Sequence, residues 1–439
     1  MKIKTIEKSY TEVCAINRVT HEKPKKANIF LRTLARVLSS FELMKAKFSY
    51  TGALPDKAQG PCLVLMNHSS FIDLKMAFKI LFPRPFGIVC AHDALIGKKW
   101  LMRSLGCIPT KKFLSDLALI HDMKHMLSRG VNVLMYPEAG YSFDGKATVL
   151  PERFARLIKM LGVPVVYIES HGAFNRDPLY NCLRIRKVKV SAEVKTLVTK
   201  DEISELSVEE LDARITKAFS FDNFAWQKEN NVKIDENFRA EGLEKVLYKC
   251  PACGAEGKML GHETNIRCTA CAKEYTLTEL GEIEAVDGNT EFSHIPDWYA
   301  WQRAEVRREL EEEKYNLDTP VEIGIMKDYK AFYRVGSGRL IHGAEGFHLT
   351  GCGGDLDYKQ KPLTTYSLNA DFHWYEQGDV ISIGDHEALY FCFPPKDVPV
   401  SKIRLATEEL YKLHHDRDFH LRHSDGSERP ERKESASAK

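Results

Sequence analysis

From residue 51 to about 235, apolar runs of strand length alternate with amphipathic stretches at helical spacing. The runs at 61–66, 86–91, 132–136, 163–168 and 183–190 predict strands. The stretches at 71–81, 98–105, 115–129, 151–161 and 207–219 predict helices, the last opening on a capping box at Ser207 and Glu210. A chain that switches period in this order buries its strands only in layers, with helices over a largely parallel sheet. The expected class is therefore α/β. The longest apolar runs, 62–66 and 163–168, fall well short of the ~18 residues that span a bilayer. The opening MKIKTIEKSYTEV has no apolar signal segment, so a cytoplasmic protein is expected. Net charge is close to zero, 63 basic against 61 acidic residues, and there is no aromatic-basic cluster. Both features exclude nucleic acid as the expected partner.

The rest of the chain reads as further units. Residues 1–50 form a basic leader with 11 Lys/Arg against 4 Asp/Glu. In it Phe30, Leu34, Val37, Phe41, Met44 and Phe48 recur at helical spacing. Such a helix either docks on the next domain or lies on the inner face of an anionic membrane, with Lys23, Lys25 and Lys26 beside it. The α/β unit is taken as 51–235, a cysteine-bearing unit as 245–280, and a charged helix capped by Asp297 as a spacer over 296–315. From 320 to 415 the period drops to two, as in Val321, Ile323 and Ile325, and a helix closes the segment. That order predicts a small β-barrel or sandwich, like pleckstrin-homology or GRAM domains in element order alone. Residues 416–439 are polar and expected to be a disordered tail. Arg184, Arg186, Lys187 and Lys189 fall on the predicted strand 183–190, either as a charge-guarded edge or as a face toward anionic head groups.

Cys250, Cys253, Cys268 and Cys271 make C-x2-C-x14-C-x2-C. Two tight cysteine knuckles this close have the spacing of a zinc ribbon. Four thiolates close the shell and leave no position for water, so the expected ion is structural zinc, with rubredoxin-like iron as the alternative. The other seven of the 11 cysteines are scattered and odd in number, which suits reduced thiols.

The sharpest chemical signal is Asn67-His68-Ser69-Ser70-Phe71-Ile72-Asp73. An apolar strand ends at Met66 and a helix begins near Phe71. His68 thus stands at the carboxyl edge of a sheet, where α/β folds place ligands. Asp73, five residues on, is within reach to fix the imidazole tautomer so that the other nitrogen acts as a base. By itself an H-x4-D spacing is far more often a histidine that merely caps or hydrogen-bonds at a strand end.

The context carries more. N-H-x4-D after an apolar strand resembles the first block of the PlsC-like glycerolipid acyltransferases (the 1-acyl-sn-glycerol-3-phosphate acyltransferase family). Gly106-Cys107-Ile108-Pro109-Thr110-Lys111-Lys112 is similar to the second block, G-x-I-F-x-x-R; Tyr136-Pro137-Glu138-Ala139-Gly140-Tyr141-Ser142 to the third, F-P-E-G-T-R-S; and Val163-Pro164-Val165-Val166 to the fourth. The match covers roughly 45–200. It implies transfer of an acyl group from acyl-CoA or acyl carrier protein to a lysophospholipid hydroxyl, 1-acylglycerol-3-phosphate first, in phospholipid synthesis or remodelling at a membrane surface. His68 and Asp73 are the implied catalytic residues. Asn67, Lys111, Lys112, Glu138 and Tyr141 are the implied substrate-binding residues. The third block departs from the family at Ala139, Gly140 and Tyr141. A tyrosine in place of arginine removes a charge that a phosphate would use, which leaves another lysolipid, alcohol or amine open as acceptor. A non-catalytic lipid- or partner-binding homologue is the alternative reading. Arg153 and Arg156 either replace the missing charge or form a solvated helix face. Nothing in the sequence sets the oligomeric state.

Overall fold

The computed structural model describes residues 2–17, 19–114 and 116–424. A short first strand, β1 (Thr5–Glu7), is followed by the strands of a seven-stranded sheet: β2 (Ser49–Gly52), β3 (Leu63–Met66), β4 (Phe86–Ala91), β5 (Cys107–Thr110), β6 (Asn132–Met135), β7 (Val165–His171) and β8 (Ser191–Val198). Their order is β2-β8-β7-β3-β6-β4-β5, and every pairing is parallel except β7–β8. The central β3 is buried along its whole length. Successive side chains of a strand point to opposite faces, so Val64 and Met66 enter one core with Ile72, Met76 and Ile80. Leu63 and Leu65 enter the other with Met123, Met126 and Phe154. Burial on both faces is why β3 reads as an unbroken apolar run.

Two strand expectations change. Cys107–Thr110 is a strand, and it sits at the sheet edge, where Pro109 costs no ladder bond. The run 183–190 is not a strand; β8 begins at Ser191. Cys182 and Leu183 take left-handed φ values of 53° and 56°, which break an extended run at its start. Arg186 is buried, and its guanidinium donates to Tyr180 Oη at 3.0 Å, Asn181 Oδ1 at 3.2 Å and the Arg239 carbonyl at 3.0 Å. Arg184 pairs with Glu241. The four basic residues therefore form no strand face toward solvent.

The leader helix is Ile29–Lys45, capped by Asn28 Oδ1, which accepts from the Phe30 and Leu31 amides. It docks on the helix Ile72–Leu81 through a mixed side, with Leu43 and the C-cap Ala46 in the core and polar side chains bonded inward. Buried Arg32 donates to the Pro83 carbonyl at 3.1 Å, and Glu42 takes both Lys75 and Arg176. The apolar stripe points outward instead: Phe30 is 71% exposed, and Leu34, Val37, Phe41 and Met44 are exposed with it. Phe48, the last of the series, packs at the edge of the core.

A second, antiparallel sheet of order β12-β11-β10-β9 holds β9 (Met259–His262), β10 (Asn265–Cys268), β11 (Glu274–Leu277) and β12 (Ile283–Ala285). The helix Ile295–Glu311 follows, with His294 rather than Asp297 at its N-cap and Pro296 in its first turn. It is more than a spacer. Trp298 and Gln302 are fully buried; Trp298 Nε1 donates to the Lys249 carbonyl and Gln302 Nε2 to that of Val246, both at 2.9 Å.

The third sheet holds β13 (Leu317–Met326), β14 (Phe332–Gly343), β15 (Gly346–Gly351), β16 (Leu356–Gln360), β17 (Asn369–Asp371), β18 (Val380–Gly384) and β19 (Leu389–Phe393). The order is β16-β15-β14-β13-β19-β18-β17, with antiparallel pairings throughout. β1 adds to it in parallel on β14. The closing helix runs Val400–Ser424, past the expected end at 415, so 416–424 are helical rather than tail; 425–439 lie outside the described residues. Among the described residues no helix is long and apolar enough to cross a membrane.

Candidate active site

Four strands of the first sheet deliver the site from their carboxyl ends. β3 ends into Asn67 and His68, its neighbour β7 supplies Ser170, its other neighbour β6 leads into Tyr136–Ser142, and edge strand β5 leads into Lys111 and Lys112. Asn67 is the pin between β3 and β7. Its Oδ1 accepts from Ser170 N at 2.7 Å and Oγ at 3.0 Å, and its Nδ2 donates to the Ser170 carbonyl at 3.0 Å. With every polar atom of its amide used inside the protein, Asn67 shapes the loop.

His68 Nδ1 lies 3.3 Å from Asp73 Oδ2, long for such a bond but closed. Asp73 sits in the first turn of the helix Ile72–Leu81 and is fully buried. The same Oδ2 accepts from the Ser69 amide at 2.7 Å and the Ser70 amide at 3.0 Å, while Ser170 Oγ reaches Oδ1 at 3.5 Å. These donors hold the carboxylate under the imidazole. His68 Nε2 has no hydrogen-bond partner among the described residues. The ring stacks on Tyr136 with centroids 4.1 Å apart and tilts against Tyr141 at 4.4 Å. Burial lowers the His68 pKa, Asp73 opposes that, and the nearby Lys112 cation adds to it. The imidazole is thus neutral at pH 7, the form a general base needs.

Glu138, fully buried, joins the third-block loop to the first. Oε1 accepts from the His68 amide at 2.9 Å and Oε2 from the Thr148 amide at 3.0 Å. Burial pushes its carboxyl up to about 8, against the pull of those two amides. Both oxygens are engaged with backbone, so its work in this state is to fix where His68 stands. Ala139 takes a left-handed φ of 55° at the turn where the family has glycine.

The lysines of the second block meet the third sheet. Lys111 Nζ donates to the carbonyls of Asp385 at 3.0 Å and His386 at 2.5 Å, and Lys112 Nζ to Asn369 Oδ1 at 3.2 Å. Phe143 stacks on Phe372 with centroids 4.4 Å apart, and Trp374 Nε1 donates to Asp93 Oδ2 at 3.3 Å. A narrow cleft runs between the sheets, lined by His92, Asp93, Lys111, Lys112, Asn369 and Ser382 among others; His68, Asp73 and Glu138 do not line it. Arg153 opens the helix Phe154–Leu161 and Arg156 lies within it.

Sequence reasoning assigned no role to Ser170, Tyr136, Asn369 or Asp371. The signal for Ser170 is a polar residue at the carboxyl end of a run that neighbours β3. Tyr136 stands in the third block beside Glu138. Asn369 and Asp371 carry no local signal, because what places them is the packing of one sheet on another.

The four cysteines form a second centre. Their Sγ atoms all lie within 4.8 Å of one another. A tetrahedral ion with Zn–S bonds of ~2.3 Å sets sulfurs about 3.8 Å apart. Cys250–Cys271 and Cys253–Cys268 both stand at 3.8 Å. The two knuckles repeat one backbone pattern: Gly254 N donates to the Cys250 carbonyl at 2.8 Å, and Ala272 N to that of Cys268 at 2.9 Å. The cluster could hold a metal ion. All eleven cysteines are free thiols.

Residues 47–169 match the family model described as Acyltransferase. The resemblance read from the motif blocks is borne out at that level: residues 47–169 carry an acyltransferase domain. Among solved structures, the crystal structure of the 1-acyl-sn-glycerophosphate (LPA) acyltransferase, PlsC, from Thermotoga maritima is similar at 18% identity and a TM-score of 0.36. That similarity covers 43% of this chain and 76% of that one. No curated protein matches the sequence.

Proposed function

We propose that this chain transfers a fatty acyl group from a thioester, acyl-CoA or acyl carrier protein, to the hydroxyl of a lysophospholipid. The observation that carries the reading is the contact between His68 Nδ1 and Asp73 Oδ2, with Nε2 free of protein partners. In the proposed step Nε2 takes the acceptor hydroxyl's proton as its oxygen attacks the thioester carbonyl. The carbon–sulfur bond then breaks, and the leaving thiolate regains a proton. Asp73 orients the ring and stabilises the imidazolium. Asn67 and Glu138 keep the loop in register. The expectation of 1-acylglycerol-3-phosphate as acceptor rests on Lys111 and Lys112, whose ammonium groups here meet the third sheet.

The outward apolar stripe of Ile29–Lys45 supports peripheral docking on a lipid surface, with exposed Lys23, Lys25, Lys26, Lys45 and Lys47 toward anionic head groups. The sulfur spacing supports structural zinc in the cysteine cluster. Seven antiparallel strands closed by a helix support a PH/GRAM-like reading of the third sheet.

The test is His68→Ala. Acyl transfer from a panel of thioesters to a panel of lysolipids, read by mass spectrometry, should fall by ~10²–10⁴-fold with the melting temperature unchanged. Wild-type turnover in that variant ends the assignment.

A further inference from the structure

Asp73 does not by itself fix the imidazole. Its Oδ2 serves three donors, the Ser69 amide at 2.7 Å, the Ser70 amide at 3.0 Å and His68 Nδ1 at 3.3 Å, and the ring has the longest of the three bonds. Hydrogen bonds beyond about 3.2 Å are weak, and the outer torsion of a histidine is broad. One such bond leaves the ring room to swing.

The loop Tyr136–Ser142 supplies what is missing. It grips the His68 backbone at both ends: Glu138 Oε1 accepts from the His68 amide at 2.9 Å, and the Ser142 amide donates to the His68 carbonyl at 3.2 Å. Ser142 is fully buried; its hydroxyl donates to the Lys146 carbonyl at 2.5 Å and accepts from the Gly145 amide at 2.9 Å. Tyr141 stands between these fixed points, after the left-handed turn at Ala139. Its ring centroid lies 4.4 Å from that of His68 at an angle of 53°, while Tyr136 stacks on the imidazole at 4.1 Å and 26°. Tyr141 also packs against the core that holds Phe143 and Phe372. Among the described residues its hydroxyl has no hydrogen-bond partner, so what it brings to His68 is the ring. The block that resembles this loop, F-P-E-G-T-R-S, has an aromatic residue where Tyr136 stands and arginine where Tyr141 stands. The second ring is therefore this chain's own.

Aromatic rings in contact prefer defined offsets and angles, so two of them restrict the swing of a third. Once Nε2 takes a proton, the imidazolium lies against two π systems within the range of cation–π attraction. That attraction grows as the proton arrives, and so acts on the transition state rather than on acceptor binding.

We propose that Tyr141 is a positioning residue for His68: its ring, set by the third-block loop, holds the imidazole where Asp73 alone holds it loosely, and stabilises the imidazolium formed during acyl transfer. The inference rests on the acyl-transfer reading. It moves position 141, which the resemblance assigns to the substrate, to the base. The effect then belongs to the ring rather than the hydroxyl, and is the same for every acceptor.

The test uses the full-length protein with one acyl-CoA and three acceptors: 1-acylglycerol-3-phosphate, 1-acylglycerophosphocholine and 1-monoacylglycerol. Tyr141→Leu keeps apolar bulk and removes the ring. It should lower kcat by ~5–10-fold, by one factor for every acceptor used, with the acceptor KM within twofold. Tyr141→Phe restores a ring without the hydroxyl and should recover most of that loss. The groups that face the imidazole are Asp73 at Nδ1, Tyr136 and Tyr141 on the ring, and the Lys112 cation; only Tyr141 changes. Loss of cation–π attraction should therefore move the acid limb of kcat/KM to lower pH in Tyr141→Leu, and Tyr141→Phe should bring it back. A loss of folded protein alone would leave the limb in place. Four results overturn the inference and leave acyl transfer standing: kcat within twofold of wild type in Tyr141→Leu, Tyr141→Phe as impaired as Tyr141→Leu, a loss confined to KM or to one acceptor, or a loss with the acid limb unmoved. If Tyr141→Leu does not fold, Tyr141→Met takes its place. If neither folds, Tyr141→Phe decides alone, and a lowered kcat or a changed acceptor ratio overturns the inference. Wild type that acylates none of the three, with His68→Ala indistinguishable from it, overturns the acyl-transfer reading and this inference together.

Discussion

The cysteine cluster and the His68 site are built by opposite routes. The four sulfurs come from two knuckles within 250–271, each folded on its own backbone hydrogen bonds, and they converge on one another. The His68 site draws Asn67, Glu138 and Ser170 from the ends of three neighbouring strands and Asp73 from the first turn of the helix after β3, and backbone groups hold the side chains of Asn67, Asp73 and Glu138. A centre made locally and closed on itself has stability to give and no position for a substrate. A centre assembled across a sheet edge keeps one ring nitrogen open, and the surrounding fold tunes it. The difference teaches which site to read as structural and which as chemical, before any activity is measured.

The contrast breaks first at the metal. We expect about one zinc per chain by elemental analysis, and Cys268→Ser to lose it. Ligation of such an ion is worth ~10–16 kcal/mol in isolated zinc-finger peptides, so the segment 245–280 should lose protection in hydrogen exchange while the His68 loop keeps its own. A metal-free chain with that segment intact would place the cluster among ordinary free thiols. Next in size is delivery of substrate to the open centre. Replacing Phe30 and Phe41 by Ser removes two apolar groups worth ~1.5–3 kcal/mol each when buried. Sedimentation with anionic vesicles should drop at least tenfold; unchanged binding would show that the stripe does not meet lipid.

Glu138 tests how far the open centre depends on borrowed backbone bonds. Gln offers one acceptor oxygen where two amides, of His68 and Thr148, each use one. Glu138→Gln should cost about 1–3 kcal/mol by urea unfolding, and a neutral result would remove Glu138 from the scaffold. The smallest effect is in the pH profile. The His68 pKa is lowered in the folded protein, so the ring stays neutral as pH falls past its ordinary value of ~6.5. The base is lost only as pH drops through the depressed value, which puts the acid limb of kcat/KM below 6.5. A limb above 6.5 would mean that Asp73 outweighs burial. Acid acts on the cysteine cluster by a separate route, protonating thiolates and releasing metal, so the two losses should be separable.

What could be read from the sequence follows from the same contrast. His68 with Asp73, and the cysteine knuckles, are short-range patterns, and their partners stand within a few residues. The β3 run announces a central strand because both of its faces are buried. The leader's helical period was equally plain, yet the period does not say which side meets the protein; Arg32 and Glu42 bonding inward turned the apolar stripe outward. The run 183–190 resembled a strand until the buried guanidinium of Arg186 found partners that only the tertiary fold supplies. Asn369 and Asp371 lie more than 250 residues from Lys112 along the chain, and no local pattern links them.

The pairing of β1 with β14 joins residues 5–7 to residues 332–334. During synthesis the first strand therefore emerges long before the strand it joins. By then the acyltransferase sheet and the cysteine knuckles have left the ribosome and can fold as units. The final clasp is a late event, and it draws residues 5–7 across to the third sheet. Deleting residues 5–7 would act on the third sheet at a distance, through the strand they pair with.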